Sequence, residues 1–246
     1  MESFEELLVA CDVRPTTLDR AEAAALDGEG YVVLDSVVDE AWLQRLRAAF
    51  EAASARPDAD AGRTETGTQH SRDLAHADPV FEGVLLHPRV LAAVHHVLQR
   101  PFQLLFLSGR DPLPGYGQQG LHTDWTPRAP HTPFDVVTAL WPLDGFTRES
   151  GPTRVLPGSH LVPRALPKPL QAPRAHHPDE RLVLVPAGSV LVLNGHLWHS
   201  GTRNTSQGPR RALQCLWVAR DRARPAGAPA PVPAWLGAAA RALLGC

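Results

Sequence analysis

Cysteine is scarce in this chain: Cys11, Cys215 and Cys246 are the only three in 246 residues. They are odd in number, far apart and form no Cys-x-x-Cys pair, which excludes a disulfide framework and a zinc knuckle and leaves reduced thiols as the expectation. Long apolar runs are missing as well, so no segment approaches the length of a membrane span, and the opening Met-Glu-Ser-Phe-Glu-Glu lacks the basic start of a signal peptide. An excess of one charge sign is also lacking. The formal net charge of -2 gives no general reason to expect a nucleic acid or an anionic membrane as partner. There is no internal repeat, and no serine triad or carboxylate pair stands in a persuasive context. What remains is a soluble, cytoplasmic protein whose function resides in a local site.

The chain is 43% hydrophobic, enough for a sizeable core, and nothing in its composition forces a split. It reads as one domain over 1–246: a helical layer over about 1–100, a β core over about 101–220, and a linker with a short helix over about 221–246. Thr17 is placed to cap a helix over Leu18 to Leu26, ended by Gly28 and Gly30, ahead of a strand Tyr31 to Leu34. Asp39 is placed to cap a second helix, where Trp42, Leu43, Leu46, Ala49, Phe50 and Ala53 recur at helical spacing. Arg56 to His70 lacks apolar periodicity and reads as a surface loop. A third helix begins at Pro88 and ends before Pro101.

Short apolar runs separated by Gly and Pro follow: Phe102 to Leu107, Leu121 to Asp124, Phe134 to Leu143, Thr153 to Leu156, Leu182 to Val185, Ser189 to Leu193 and Arg211 to Val218. Strands after helices give an α+β order, mainly β with flanking helices, and suggest a sandwich or barrel. The Pro- and Ala-rich stretch Arg222 to Pro233 reads as a linker to a helix Trp235 to Leu244.

The chemistry concentrates in Gln119-Gly-Leu-His-Thr-Asp-Trp125. If this segment is extended, His122 and Asp124 share a face, giving two neighbouring ligands of a 2-His-1-carboxylate triad with open positions on iron(II). Downstream, a strand ending in Asn194-Gly195 leads into His196-Leu-Trp-His199. These two histidines, three residues apart, would face opposite sides of an extended chain, so one of them can complete the triad. Arg210 and Arg211 follow, and a guanidinium fork is the usual means of holding a dicarboxylic cosubstrate. On the last strand Leu213, Cys215 and Trp217 form the face that packs on helices, leaving Arg210, Ala212 and Gln214 for a polar cavity.

Taken in order, Gln119-x-x-His122-x-Asp124, Glu149-Ser-Gly-Pro-Thr-Arg-Val-Leu-Pro-Gly-Ser-His160, Trp198-His-Ser-Gly-Thr-Arg-Asn-Thr-Ser206 and Pro209-Arg-Arg211 resemble the motifs of phytanoyl-CoA dioxygenase-like iron(II)/2-oxoglutarate oxygenases. Asp27-Gly-Glu-Gly-Tyr-Val-Val-Leu34 resembles that family's entry, so the likeness covers roughly residues 27 to 219. It implies a double-stranded β-helix, a jelly-roll, cupin-like barrel. The family's eleven-residue spacing between distal histidine and cosubstrate arginine implies His199 rather than His196 and Arg210 rather than Arg211. Iron(II), 2-oxoglutarate and O2 follow as cofactors. The implied reaction hydroxylates a small molecule and releases succinate and carbon dioxide.

Gln119 and Thr138 are the residues expected to reach the cosubstrate. Related halogenases carry Ala or Gly where this chain has Asp124, which argues against halogenation. One departure is that many members read Gly-Ser after the distal histidine where this chain reads Ser200-Gly201, removing a hydroxyl from that position. His160 reads as structural, and Trp141 and Trp198 read as core aromatics. Specificity is assigned to loops near 56–70, 111–118 and 126–133. The competing readings are a cupin-like metal protein that does not use 2-oxoglutarate, and a non-catalytic binding module.

Overall fold

The computed structural model describes residues 3–56, 65–162, 164–223 and 232–246. Its first helix, α1 (Phe4–Ala10), has no counterpart in the sequence reading. It starts with a reciprocal capping box: the Ser3 hydroxyl accepts from the Glu6 N–H and the Glu6 carboxylate accepts from the Ser3 N–H, both at 3.1 Å. The same device, Asp19 with Glu22, starts α2 (Arg20–Gly28). The expected cap, Thr17, instead accepts from the Arg14 N–H at 2.8 Å in the preceding turn. Asp19 prevails because a Glu stands three residues after it to complete the box.

Asp39 caps α3 (Glu40–Ser54) as expected, by accepting from the Trp42 N–H. After the short α4 (Glu82–Leu86), α5 (Pro88–Leu98) begins at Pro88 and ends where Gln99 turns left-handed. The last helix, α6 (Ala238–Leu244), is shorter than Trp235 to Leu244, since Gly237 is extended and serves as its N-cap. The expected linker lies largely outside the described residues, which omit 224–231. Among the described residues no helix is long and apolar enough to cross a membrane.

Among the described residues, nine strands make two antiparallel sheets: β1 (Tyr31–Leu34), β2 (Thr68–Ser71), β3 (Phe102–Pro112), β4 (Val136–Pro142), β5 (Thr153–Val155), β6 (Arg181–Val183), β7 (Val190–Asn194), β8 (His199–Gly201) and β9 (Ala212–Ala219). The larger sheet runs β1-β7-β4-β9-β3-β2 and the smaller β6-β5-β8, a jelly-roll arrangement whose sheets do not close into a continuous barrel. Strand β2 corrects the loop expected over 56–70, of which 57–64 lie outside the described residues. Its Thr-Gln-His-Ser sequence offers no apolar alternation because it pairs only with β3, at the edge of the sheet.

Period-two alternation sorts the large sheet into two faces. Val137, Ala139 and Trp141 of β4, Val190 and Val192 of β7, and Leu213, Cys215 and Trp217 of β9 join one core with residues of α1 to α6. Leu191 and Leu193 of β7 and Ala212 of β9 turn the other way, onto Val155 and Val183 of the small sheet. Parity on β9 is therefore as the sequence suggests, and the interior of the jelly roll, where the polar residues gather, lies between the sheets.

Candidate metal centre

The segment carrying His122 and Asp124 is not the regular strand expected over Leu121 to Asp124. It touches the small sheet through one antiparallel bridge, His122 with His199, whose N–H groups donate to each other's carbonyls at 2.9 and 3.0 Å. Beyond it the Thr123 hydroxyl donates to the Trp125 carbonyl at 2.7 Å and bends the chain, while the Asp124 N–H donates to Gly195 O at 2.8 Å. On the outer side the passage 164–180 presses close. A Cβ on Gly120 would lie 1.8 Å from the Gln171 carbonyl oxygen, so only glycine fits there.

The bridge brings three ligand atoms, one each from His122, Asp124 and His199, within 4.8 Å of one another. His122 Nδ1 donates to Gly120 O at 3.0 Å and His199 Nδ1 to Leu197 O at 2.8 Å. A carbonyl can only accept, so each ring carries its proton on Nδ1 and turns the Nε2 lone pair to the centre. Burial, then the neighbouring His199, holds the His122 imidazole below its ordinary value, which favours the neutral form that binds metals. His199 Nε2 lies 3.4 Å from Asp124 Oδ2, near the ~3 Å between adjacent ligand atoms on an ion with ~2.1 Å bonds. Two imidazoles and a carboxylate, with no thiolate, suit iron(II).

Thr138 on β4 donates its hydroxyl to Asp124 Oδ2 at 2.5 Å, fixing the carboxylate. It also lines a cavity of about 550 Å³, counting its open mouth, together with Gln119, His122, His199 and Arg210. Gln119 also holds its neighbour strand: its N–H donates to Gly201 O at 3.0 Å and its Oε1 accepts from the Gly201 N–H at 3.1 Å.

Arg210 is 3% exposed. Its backbone N–H donates to Asp111, its Nε donates to Gly151 O, and its guanidinium lies 4.2 Å from the centre of the Phe146 ring. Burial, and then the nearby Arg110, push it down to about 9, which leaves it charged at neutral pH. Among the described residues no acidic side chain pairs with that guanidinium. Arg211 points the other way and is committed to a two-pronged pair with Asp144 at 2.8 and 2.9 Å and to Glu51.

His196 stands apart from the donor set. Its Nε2 accepts from the Asp135 N–H at 3.3 Å, and burial holds it down at about 4. His160 donates to Asp27 O, with its ring against the Cα of Gly30, and is a buried packing element. Trp141 packs edge-on to Trp42 in the helix-facing core, and Trp198 is buried with Arg164 over its ring.

Sequence reasoning missed two arginines. Arg154 is 1% exposed and donates to Ser200 Oγ, Ala175 O, Glu180 and Gln119 O, tying both ligand-bearing segments to the 164–180 passage. A lone cation inside the apolar run Thr153 to Leu156 was the signal for it. Arg110, on the cavity wall and paired with Glu65, had none, because the strand Phe102 to Leu107 was read as ending before it.

The curated relatives include the dioxygenase trt7 of Aspergillus terreus, 29% identical over 82% of this chain and 73% of its own length. The uncharacterized protein Rv1501 of Mycobacterium tuberculosis is 31% identical over 80% of this chain and 74% of its own. Among solved structures, HygX from Streptomyces hygroscopicus with nickel, 2-oxoglutarate and hygromycin B superposes with a TM-score of 0.69 at 23% identity, covering 82% of this chain and 88% of that one. The epimerase SnoN, in complex with Fe3+, alpha ketoglutarate and nogalamycin RO, gives 0.69 at 20% identity over 84% and 85%. The sequence model of the phytanoyl-CoA dioxygenase (PhyH) family matches residues 26–212, and the chain belongs to that family.

Proposed function

We propose that this protein is an iron(II)- and 2-oxoglutarate-dependent oxygenase that hydroxylates a small molecule, with succinate and carbon dioxide as co-products. The observation that carries the reading is one cavity holding two imidazoles, a carboxylate at their side, and a buried guanidinium that, among the described residues, no acidic side chain claims. His122, Asp124 and His199 would hold the metal, and Arg210 would take the far carboxylate of the cosubstrate. When bound, iron, 2-oxoglutarate and O2 together supply an oxidant able to take hydrogen from an unactivated carbon.

The remaining work falls to the chain. The backbone carbonyls of Gly120 and Leu197 keep both imidazoles in the ligand tautomer, and Thr138 orients Asp124 while lining the cavity. Leu140 and Phe146 give the cavity an apolar wall, where a charged hydrogen bond to Arg210 is worth more than in water. Asp124 would take the coordination position that a halide needs, in favour of hydroxylation. The helix-facing core spans α1 to α6 and the large sheet, in support of one catalytic unit over 1–246.

Anaerobic addition of iron(II) with 2-oxoglutarate should produce a metal-to-ligand charge-transfer absorption that neither gives alone. Its absence would favour the cupin-like or non-catalytic readings. The fold is shared with an epimerase and with the carbocyclase SnoK, so the outcome at carbon needs its own measurement. With labelled O2, a product that gains one labelled oxygen atom is hydroxylated; one that loses two hydrogens, or keeps its composition, is cyclised or epimerised.

A further inference from the structure

Resting on the oxygenase reading, we infer that Arg110 is a second cosubstrate-binding cation, which together with Arg210 makes the cavity selective for a keto acid bearing a far carboxylate. Three independent features of the structure lead there.

The first is placement. Arg110 stands opposite Ala212 across the β3–β9 pair, and Arg210 lies two residues before Ala212 on the same chain. Residues two apart share a face, so both arginines look into the space between the sheets. Both line the cavity that holds His122 and His199.

The second is the space at Gly201. A Cβ there would lie 2.8 Å from Gly117 O, 3.2 Å from Gln119 Oε1 and 3.4 Å from Arg110 Nη1. This is the second position after His199, where the resemblance leads one to expect a hydroxyl. The chain has a glycine there instead, and a guanidinium lies against the bare backbone. The hydroxyl of the adjacent Ser200 is held by Arg154, accepting from its Nε at 2.6 Å.

The third is charge. Of the two guanidiniums, one has no acidic partner among the described residues and the other shares Glu65 with His70. Burial alone would raise the Glu65 carboxyl, yet hydrogen bonds from His70 and Arg110 bring it to about 2, so it stays ionised. Glu65 thus pairs with Arg110, while Asp111 accepts from the backbone N–H of Arg210, so a far carboxylate in the cavity supplies the partner that the Arg210 guanidinium lacks, with Arg110 beside it. Glu65 also lines the groove outside the cavity, so the Arg110–Glu65 pair stands on the wall between the two spaces.

The test measures binding of 2-oxoglutarate and of 2-oxobutyrate to the nickel-loaded full chain by calorimetry. The two share the keto-acid head, and only the first has a far carboxylate. Arg110→Gln should weaken 2-oxoglutarate by about tenfold to hundredfold, the worth of a hydrogen bond to a charged group, and leave nickel and 2-oxobutyrate affinity near wild type. Arg110→Lys should recover part of the loss. Glu65→Gln should tighten 2-oxoglutarate, by removing the internal competitor.

Unchanged 2-oxoglutarate affinity in Arg110→Gln would overturn the assignment. Equal loss of both keto acids with a lower melting temperature would do the same, reducing the pair to a structural tie between β2 and β3. If the wild-type chain binds neither keto acid, the oxygenase reading itself fails, and the role of Arg110 falls with it.

Discussion

Arg210 and Arg211 are adjacent, yet the fold treats them as opposites: one guanidinium is sunk beside Phe146, without an acidic partner among the described residues, the other is locked outside on Asp144. On the proposed function, Arg210→Ala should weaken 2-oxoglutarate by about 2 to 5 kcal/mol, roughly thirty- to several-thousandfold, because a desolvated carboxylate loses its partner. Arg211→Ala should leave cosubstrate affinity near wild type and lower stability modestly. A titration of metal-loaded variants ranks them. His199→Ala should likewise abolish metal binding while His196→Ala retains it, read by equilibrium dialysis against iron(II) or nickel(II). The inward course of Arg210 was legible because strand parity and motif spacing agree. Arg110 was not, since its partner Glu65 is remote in sequence and contributed by an irregular segment, and Arg154 left one signal, a lone cation in an apolar run, while partners such as Ala175 are equally remote.

Among the elements, α3 and α5 were readable because each has a sharp start and a clear apolar stripe, whereas α1 is two turns long and announces itself only through Ser3 and Glu6. The segment at His122 shows where periodicity fails. The i, i+2 argument expects His122 and Asp124 on one side, where their side chains do lie close together, but the extended shape comes from a bridge to a partner 77 residues away, 199 less 122. Backbone requirements there were equally invisible. Gly151 has φ +90°, and a Cβ on it would meet Thr202 O at 2.6 Å and Arg203 O at 2.7 Å, while its own carbonyl holds Arg210 Nε. Gly151→Ala should therefore lower stability by about 1 to 3 kcal/mol. By shifting Arg210 it should also weaken 2-oxoglutarate, so a thermal melt and a binding titration should move together.

For the molecule as a whole, two buried histidines tie stability to pH. Burial holds His87 and His196 at about 4, against 6.5 for the free group. Between roughly pH 6.5 and 4 the unfolded chain thus binds up to two more protons than the native one, one at each site, and stability rises with pH wherever that holds. Their contribution is fully present above about pH 6.5 and is lost as pH falls toward 4; a melting series should show this slope, and replacing both residues with Gln should flatten it. Metal with cosubstrate should act in the opposite direction, adding about 2.7 kcal/mol at a hundredfold excess over the dissociation constant. The His122–His199 bridge also sets an order of events during synthesis. A nascent chain that has emerged only through the 164–180 passage already displays His122 and Asp124, but it has neither the third donor nor the strand that orients them. On the proposed function, iron can be captured with full affinity only after residue 199 has folded back, so metal loading reports that β8 has docked on the His122 segment.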